Sequence, residues 1–288
     1  MKTIGIAGAT GYLGGHIVKE LISTRASFKA LARNTDKLLS FGVPDEDIIN
    51  SDFTNPKSLQ GQLEGIDILI STVGITRQKD GLSYMDVDYQ ANANLLQEAK
   101  RSGVRKFIYV SAIHGDQLRN LKIFEAKEKF VDALKSSGLE YVIVRPNGFF
   151  SDMRDFLDMA KGGSVYLFGT GEYKLNPIHG TDLAKVIVDT IESDNEELVV
   201  GGPDIFTQNE IARLALQAQG KKINLVHLPD WFRTALIKLM RIFTTSKTYG
   251  PIEFFLTIMG QDNIAPRFGT QRLKSFFNNE VDRLVSEK

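Results

Sequence analysis

Three glycines, Gly8, Gly11 and Gly14 in GATGYLG, directly follow the apolar run Ile4-Gly5-Ile6-Ala7. Such a turn takes the chain from a buried strand into a helix whose first N–H groups are bare, where the backbone dipole favours an anion. One glycine makes the tight turn, one lets backbone approach a phosphate, and one admits the helix close to the strand. The ligand this pattern fits is a pyrophosphate-bearing dinucleotide, flanked by Thr10, Tyr12 and Leu13 between the glycines. A glycine turn without a ligand is the plain alternative. The strand before it, and the helical repeat of Leu13, Ile17, Val18 and Leu21 after it, weigh against that.

A second group of residues concerns the rest of such a ligand. The run FKALA ends in Arg33, with no Asp or Glu at the strand end. An acid there would accept from a ribose 2′-hydroxyl, whereas a guanidinium matches a 2′-phosphate, so the charge favours NADP(H) over NAD(H), with Lys37 as a second cation. Asp52 and Phe53 follow the third strand and could meet an adenine edge; an Asp that closes a turn serves equally well. Thr72, Val73 and Gly74 end the fourth strand with residues small enough for a cofactor to lie on backbone.

Lys127 lies inside the apolar stripe of Ile123, Phe124, Phe130, Val131 and Leu134, while Glu125, Glu128, Lys129 and Asp132 point elsewhere. A lysine on an inward face snorkels, pairs with a carboxylate or meets a ligand. Lys127 is therefore the catalytic candidate, expected to hold the nicotinamide ribose and, partly desolvated, to have its pKa lowered toward proton transfer. Ser111, at the end of the fifth strand, is a candidate for the nicotinamide or for closing the strand; His114 follows three residues on, and His179 reads as a helix-entry residue. The four histidines show no metal-ligand spacing, so no metal is expected.

These residues need a scaffold. Strands are expected near 2–7, 27–32, 46–50, 67–73, 106–110 and 140–145, with helices near 12–24, 55–63, 84–102 and 124–138. This alternation predicts an α/β fold, a Rossmann-like doubly wound parallel sheet. A dinucleotide-binding core over 1–150 and a smaller mixed C-terminal substrate-side region over 151–288 are expected to form one structural unit. That region carries a helix near 181–193, a strand near 197–200, a helix from about 207 to 218, a strand at 223–227 and aromatic-rich helices within 230–260 and 270–278. Lys plus Arg and Asp plus Glu number 35 each, which gives no general field for nucleic acid. There is no cysteine, excluding disulfides and thiolate chemistry and fitting a reducing, cytoplasmic location. The N-terminal apolar run is too short for a secretion signal, and no stretch is long enough to span a membrane.

Taken together, GATGYLG, Arg33, Asp52, STVG, KFIYVSAIHG, Lys127 in FEAKEKF and GLEYVIVRPNGFF resemble the atypical short-chain dehydrogenase/reductase superfamily. PIHGTDLAKVI, VVGGPDIFT and APRFGTQRLKSFF are similar to its divinyl chlorophyllide 8-vinyl reductase-like branch. The resemblance implies NADP(H) over the strand ends and Pro146, Asn147 and Phe149 at the nicotinamide end. It breaks where the superfamily's catalytic Tyr stands four residues before the lysine, because that position is Ile123.

The resulting expectation is an NADP(H)-dependent oxidoreductase that transfers hydride to a small or medium apolar carbonyl or activated alkene. The alternative is a non-catalytic NADP(H)-binding sensor or assembly protein. The segment WFRTALIKLMRIF at 231–243 has apolar residues at helical spacing, which supports partner binding in that alternative; packing over a substrate cleft is the simpler reading, and a weakly membrane-facing surface is the lesser one.

Overall fold

A computed structural model describes residues 2–76, 81–194 and 196–286. The chain divides into two compact units, 1–145 with 183–198, and 146–182 with 199–288. A single cut at residue 150 therefore does not describe it, since the segment 183–198 returns to the first unit.

The first unit is built on parallel strands. These are β1 (Ile4–Ala7), β2 (Phe28–Ala32), β3 (Ile48–Asn50), β4 (Ile68–Ser71), β5 (Lys106–Val110) and β6 (Glu140–Pro146), and β9 (Glu197–Val200) extends the sheet in the order β3-β2-β1-β4-β5-β6-β9. Every residue of β1, β4 and β5 is buried, as a strand covered on both faces requires. The reversal of strand order falls between β1 and β4, where open α/β sheets bind ligands beyond the strand carboxyl ends.

Helices α1 (Tyr12–Ser23), α2 (Asp36–Ser40), α3 (Pro56–Leu59), α4 (Asn92–Arg101) and α5 (Lys122–Lys135) connect the strands. Most expected elements are present within a few residues, with α3 shorter than the expected 55–63. The expected helix over 84–102 is split: Met85–Ala91 is a π-helical segment, and only then does α4 begin. Such widened turns concentrate at functional sites. Leu59, Leu63, Leu95, Phe107, Tyr109, Phe130 and Leu134 belong to one buried cluster of this unit.

The second unit pairs β7 (Val165–Phe168) with β11 (Leu225–Leu228) in parallel and β8 (Lys174–Leu175) with β10 (Phe206–Thr207) antiparallel. Its core gathers Phe150, Phe156, Leu216, Leu273 and Phe277 from around α6 (Arg154–Lys161), α8 (Gln208–Ala218) and α11 (Leu273–Ser286). Helix α7 (Gly180–Asp189) begins in this unit. Helices α9 (Asp230–Phe243) and α10 (Ser246–Ile258) complete it, and none of the 14 residues of α9 is buried. Of the apolar repeat at 231–243, Leu236 and Met240 are half-buried while Trp231, Phe232, Ala235, Leu239 and Phe243 are exposed, so only part of it is the packed face expected. No helix among the described residues is long and apolar enough to cross a membrane.

Candidate functional site

The glycine turn meets the steric demands read from its sequence. Gly8 has φ +84°, and a β-carbon there would lie 2.7 Å from Thr72 Oγ1. A β-carbon on Gly14 would stand 2.1 Å from the Gly8 carbonyl oxygen, so α1 can start this close to β1 only with glycine. The Gly11 amide donates to Gly8 O at 2.9 Å and closes the turn. Gly11 caps α1 without a side-chain hydrogen bond, and no acid sits in the first turn. These features leave a cradle of backbone, with the positive end of a helix, that suits phosphate oxygens.

One cation borders it, and a second follows the neighbouring strand. The Lys37 ammonium donates to the Thr10 carbonyl at 2.7 Å, inside the glycine turn itself. Arg33, just past β2, is exposed and makes no ion pair among the described residues. The Thr72 hydroxyl donates to Ala7 O at 3.2 Å, tying the end of β4 to the turn. The bare backbone at the start of α1, with Lys37 on the Thr10 carbonyl, fits the phosphates of a dinucleotide.

Other expected residues are built differently. Asp52 closes a local turn, with Oδ1 accepting from Thr54 N at 3.0 Å and from Thr54 Oγ1 at 2.7 Å. The Phe53 ring and the Val73 side chain belong to the hydrophobic core, and Leu13 is buried as well. Tyr12 packs edge-on against His16, with ring centroids 5.0 Å apart.

Lys127 is where the structure adds most. Its ammonium stands 2.8 Å from Asp88 Oδ1 in the π-helical segment; the Asp88 side chain is fully buried and that of Lys127 is 12% exposed. The second Asp88 oxygen accepts from Ile75 N at 3.2 Å. A β-carbon on Gly74 would lie 2.6 Å from Asp88 Oδ1 and 2.9 Å from Lys127 Nζ, so the STVG end rests directly on this pair. Asn92 fixes the arrangement, accepting from the Ser71 hydroxyl at 2.6 Å and donating to Val73 O and Asp88 O at 3.0 Å each.

The expectation of a lowered lysine pKa is overturned. Burial alone would push it down, but the facing Asp88 carboxylate, with Tyr109 beside it, holds the ammonium above its ordinary range. Burial pushes the Asp88 carboxyl up while the facing ammonium pulls it back down, so each group's charge depends on the other across the 2.8 Å contact. The Tyr109 hydroxyl is buried beside Lys127, whose Nζ lies 5.7 Å from the Tyr109 ring centroid and adds to the interactions that favour the ammonium.

A second buried cluster was not legible in the sequence. Glu128, expected to point away from the core, is buried and pairs bidentately with Arg145 at 2.7 and 2.9 Å. The Ser111 hydroxyl donates to the same carboxylate at 2.9 Å, and Arg145 reaches Glu197 at 3.0 Å. The Ser111 hydroxyl thus spends its proton on this buried ion-pair network. His114, three residues on in the same loop, has φ +61° and a buried Nε2 without a partner among the described residues. Non-glycine residues in that region and orphaned ring nitrogens are both uncommon, and both concentrate at functional sites.

Pro146, Asn147 and Phe149 lie in the second unit. Pro146 and Asn147 are buried and Phe149 half-buried. The Asn147 amide donates to Asn176 Oδ1 at 2.8 Å and to Asn263 O, while its own oxygen accepts from Gly148 N at 2.8 Å. Its polar groups are thus satisfied within that unit.

The sheet order, the glycine cradle and the charged lysine beside the switch point define a dinucleotide-binding Rossmann protein. A family model described as NAD(P)H-binding matches residues 8–194, and the chain belongs to that family. The divinyl chlorophyllide a 8-vinyl-reductase of Cucumis sativus is 30% identical over 322 residues, spanning 98% of this chain and 76% of the relative. The photosystem II assembly factor Ycf39 of Guillardia theta is 25% identical over 228 residues, 78% of this chain and 72% of its own. Among solved structures, the NADPH-dependent quinone oxidoreductase of Escherichia coli, complexed with NADPH, matches with a TM-score of 0.70 at 18% identity, covering 98% of this chain and 99% of that one. The family resemblance read from the residues is borne out, and the solved likeness is one of fold.

Proposed function

We propose that this protein binds NADP(H) in preference to NAD(H) and is a reductase of small or medium apolar carbonyls or activated alkenes. The observation that carries the reading is the phosphate cradle with its cations, Lys37 on the Thr10 carbonyl and Arg33 exposed at the end of β2 with no acid beside it. When bound, the nicotinamide supplies the hydride. The chain's own residues hold and orient. Backbone amides at the start of α1 would take the pyrophosphate, Arg33 and Lys37 the 2′-phosphate, and Lys127 the ribose hydroxyls as a hydrogen-bond donor.

Lys127 is a poor proton donor when Asp88 keeps it charged, so its role is positional and electrostatic. Of the two polar side chains in the loop after β5, Ser111 is committed to Glu128. His114, with its orphaned Nε2, is the proposed proton carrier. NADPH oxidation over a panel of carbonyls and enones tests the reading. His114→Gln is expected to lower kcat while NADPH affinity is kept. Absence of turnover across the panel, with NADPH bound, would reject the reductase.

A second reading has its own support. Ile123, where the superfamily carries Tyr, is a buried core residue, and one relative is an assembly factor. NADPH binding without turnover, together with capture of a partner only when NADPH is present, would favour a sensing or assembly role.

A further inference from the structure

Helix α9 is the least covered long element of the second unit. At ~100° per residue, Trp231, Ile242, Ala235, Leu239, Phe232 and Phe243 fall in that order across one arc of about 120°. All six are exposed, Trp231 at 68%, Ile242 at 74% and Phe243 at 75%. The half-buried Leu236, Ile237 and Met240 lie outside that arc, so the helix already has an inward face and the apolar arc is a second one. Next to the arc, on its other side, stand Lys238 and Arg241 with Thr234. Arg241 pairs with Glu253, whose carboxylate is buried, and its own side chain stays 48% exposed.

Charge singles out the partner. Residues 231–252 hold Arg233, Lys238, Arg241 and Lys247 and no acid. Of the acids at either end of that span, Asp230 is held by Arg233 at 2.8 Å and Glu253 is buried. A protein surface fitted to this arc would need to be both apolar and acidic at one edge. An anionic bilayer surface presents that combination everywhere, with acyl chains for the aromatic and aliphatic side chains and headgroup phosphates for the lysine and arginine. A contiguous exposed apolar face rimmed by cations, carrying Trp and Phe, is the signature of a helix that lies in the interface. We infer that α9 docks the protein in the plane of an anionic lipid surface, with Trp231, Leu239, Ile242 and Phe243 in the acyl boundary and Lys238 and Arg241 among the headgroups.

Trp231 is the only tryptophan in the chain, so its emission reports on this helix alone. The full chain is mixed with vesicles of phosphatidylcholine, or of phosphatidylcholine with phosphatidylglycerol, and followed by co-sedimentation and Trp231 emission. Binding to the anionic vesicles, a blue shift of Trp231 and reversal of part of the binding by high salt are expected. Lys238→Gln should weaken partitioning about fivefold. Ile242→Asn and Phe243→Ser should each weaken it about tenfold. All three positions are exposed, and an unchanged circular dichroism spectrum and NADPH affinity confirm that the variants fold. Unshifted emission with no sedimentation would overturn the inference, as would sedimentation that Ile242→Asn and Phe243→Ser leave unchanged. Emission that is already blue-shifted without vesicles and reddens on dilution would also overturn it, because a second copy would then cover the face.

Discussion

Asp88→Asn tests the account at its most exposed physical claim, that a buried carboxylate keeps Lys127 charged. The substitution preserves volume and an oxygen for the Ile75 amide, yet leaves the ammonium facing a neutral amide. Breaking a buried ion pair by removing one partner costs roughly 3–5 kcal/mol. Because the Lys127 side chain keeps 12% exposure and reaches some water, the low end, about 3 kcal/mol, is expected. At about 2–4 °C per kcal/mol for a domain of 150–250 residues, the midpoint of the first unit falls by about 6–12 °C. Lys127→Met strands the carboxylate and should be similarly harmful. The double variant buries no unpaired charge and should be less destabilised than the sum of the single losses by about 2–3 kcal/mol. Hydrogen exchange at β4 and β5 amides reads the first unit by itself. Losses that add within about 0.5 kcal/mol would refute the coupling.

The remaining expectations follow from neighbouring parts of the structure. Gly14→Ala places a methyl where the Gly8 carbonyl oxygen stands, so NADPH affinity should fall more than about tenfold in a fluorescence titration. Ser111→Ala removes one hydrogen bond to Glu128 and should lower stability by roughly 1–3 kcal/mol while leaving the NADPH dissociation constant unchanged. His179 is pushed below its ordinary pKa by burial among Phe150 and Phe276, and its Nδ1 accepts from Thr181 N at 3.2 Å, which requires the neutral ring. A depressed folded-state pKa means stability present above the unfolded value near 6.5 and lost as pH falls below it. The thermal midpoint should therefore decline from pH 7.5 toward pH 5, and His179→Gln should flatten that decline.

What sequence made legible was local. The glycine cradle, the strand ends and the inward-facing lysine all follow from spacing, since each depends on residues a few positions apart. Partners set by tertiary packing were hidden. Asp88 meets Lys127 from a different element, and its burial left one trace: positions 88, 92, 95 and 99 recur at helical spacing, putting a carboxylate and an amide on an otherwise apolar stripe. Glu128 was misjudged because a helical wheel assumes one covered face, whereas Arg145 on β6 and Ser111 after β5 reach a second side of α5. The face at 231–243 had the right period, but a period cannot say whether protein or another phase covers it.

The most direct test of the central claim is the affinity of the pure protein for NADPH and NADH, measured by calorimetry for wild type and for Arg33→Ala/Lys37→Ala. Charge-assisted contacts to a 2′-phosphate predict a preference for NADPH of about 10–100-fold that the double variant loses, with NADH affinity little changed. Equal affinities in the wild type, or a preference that survives both substitutions, would contradict it.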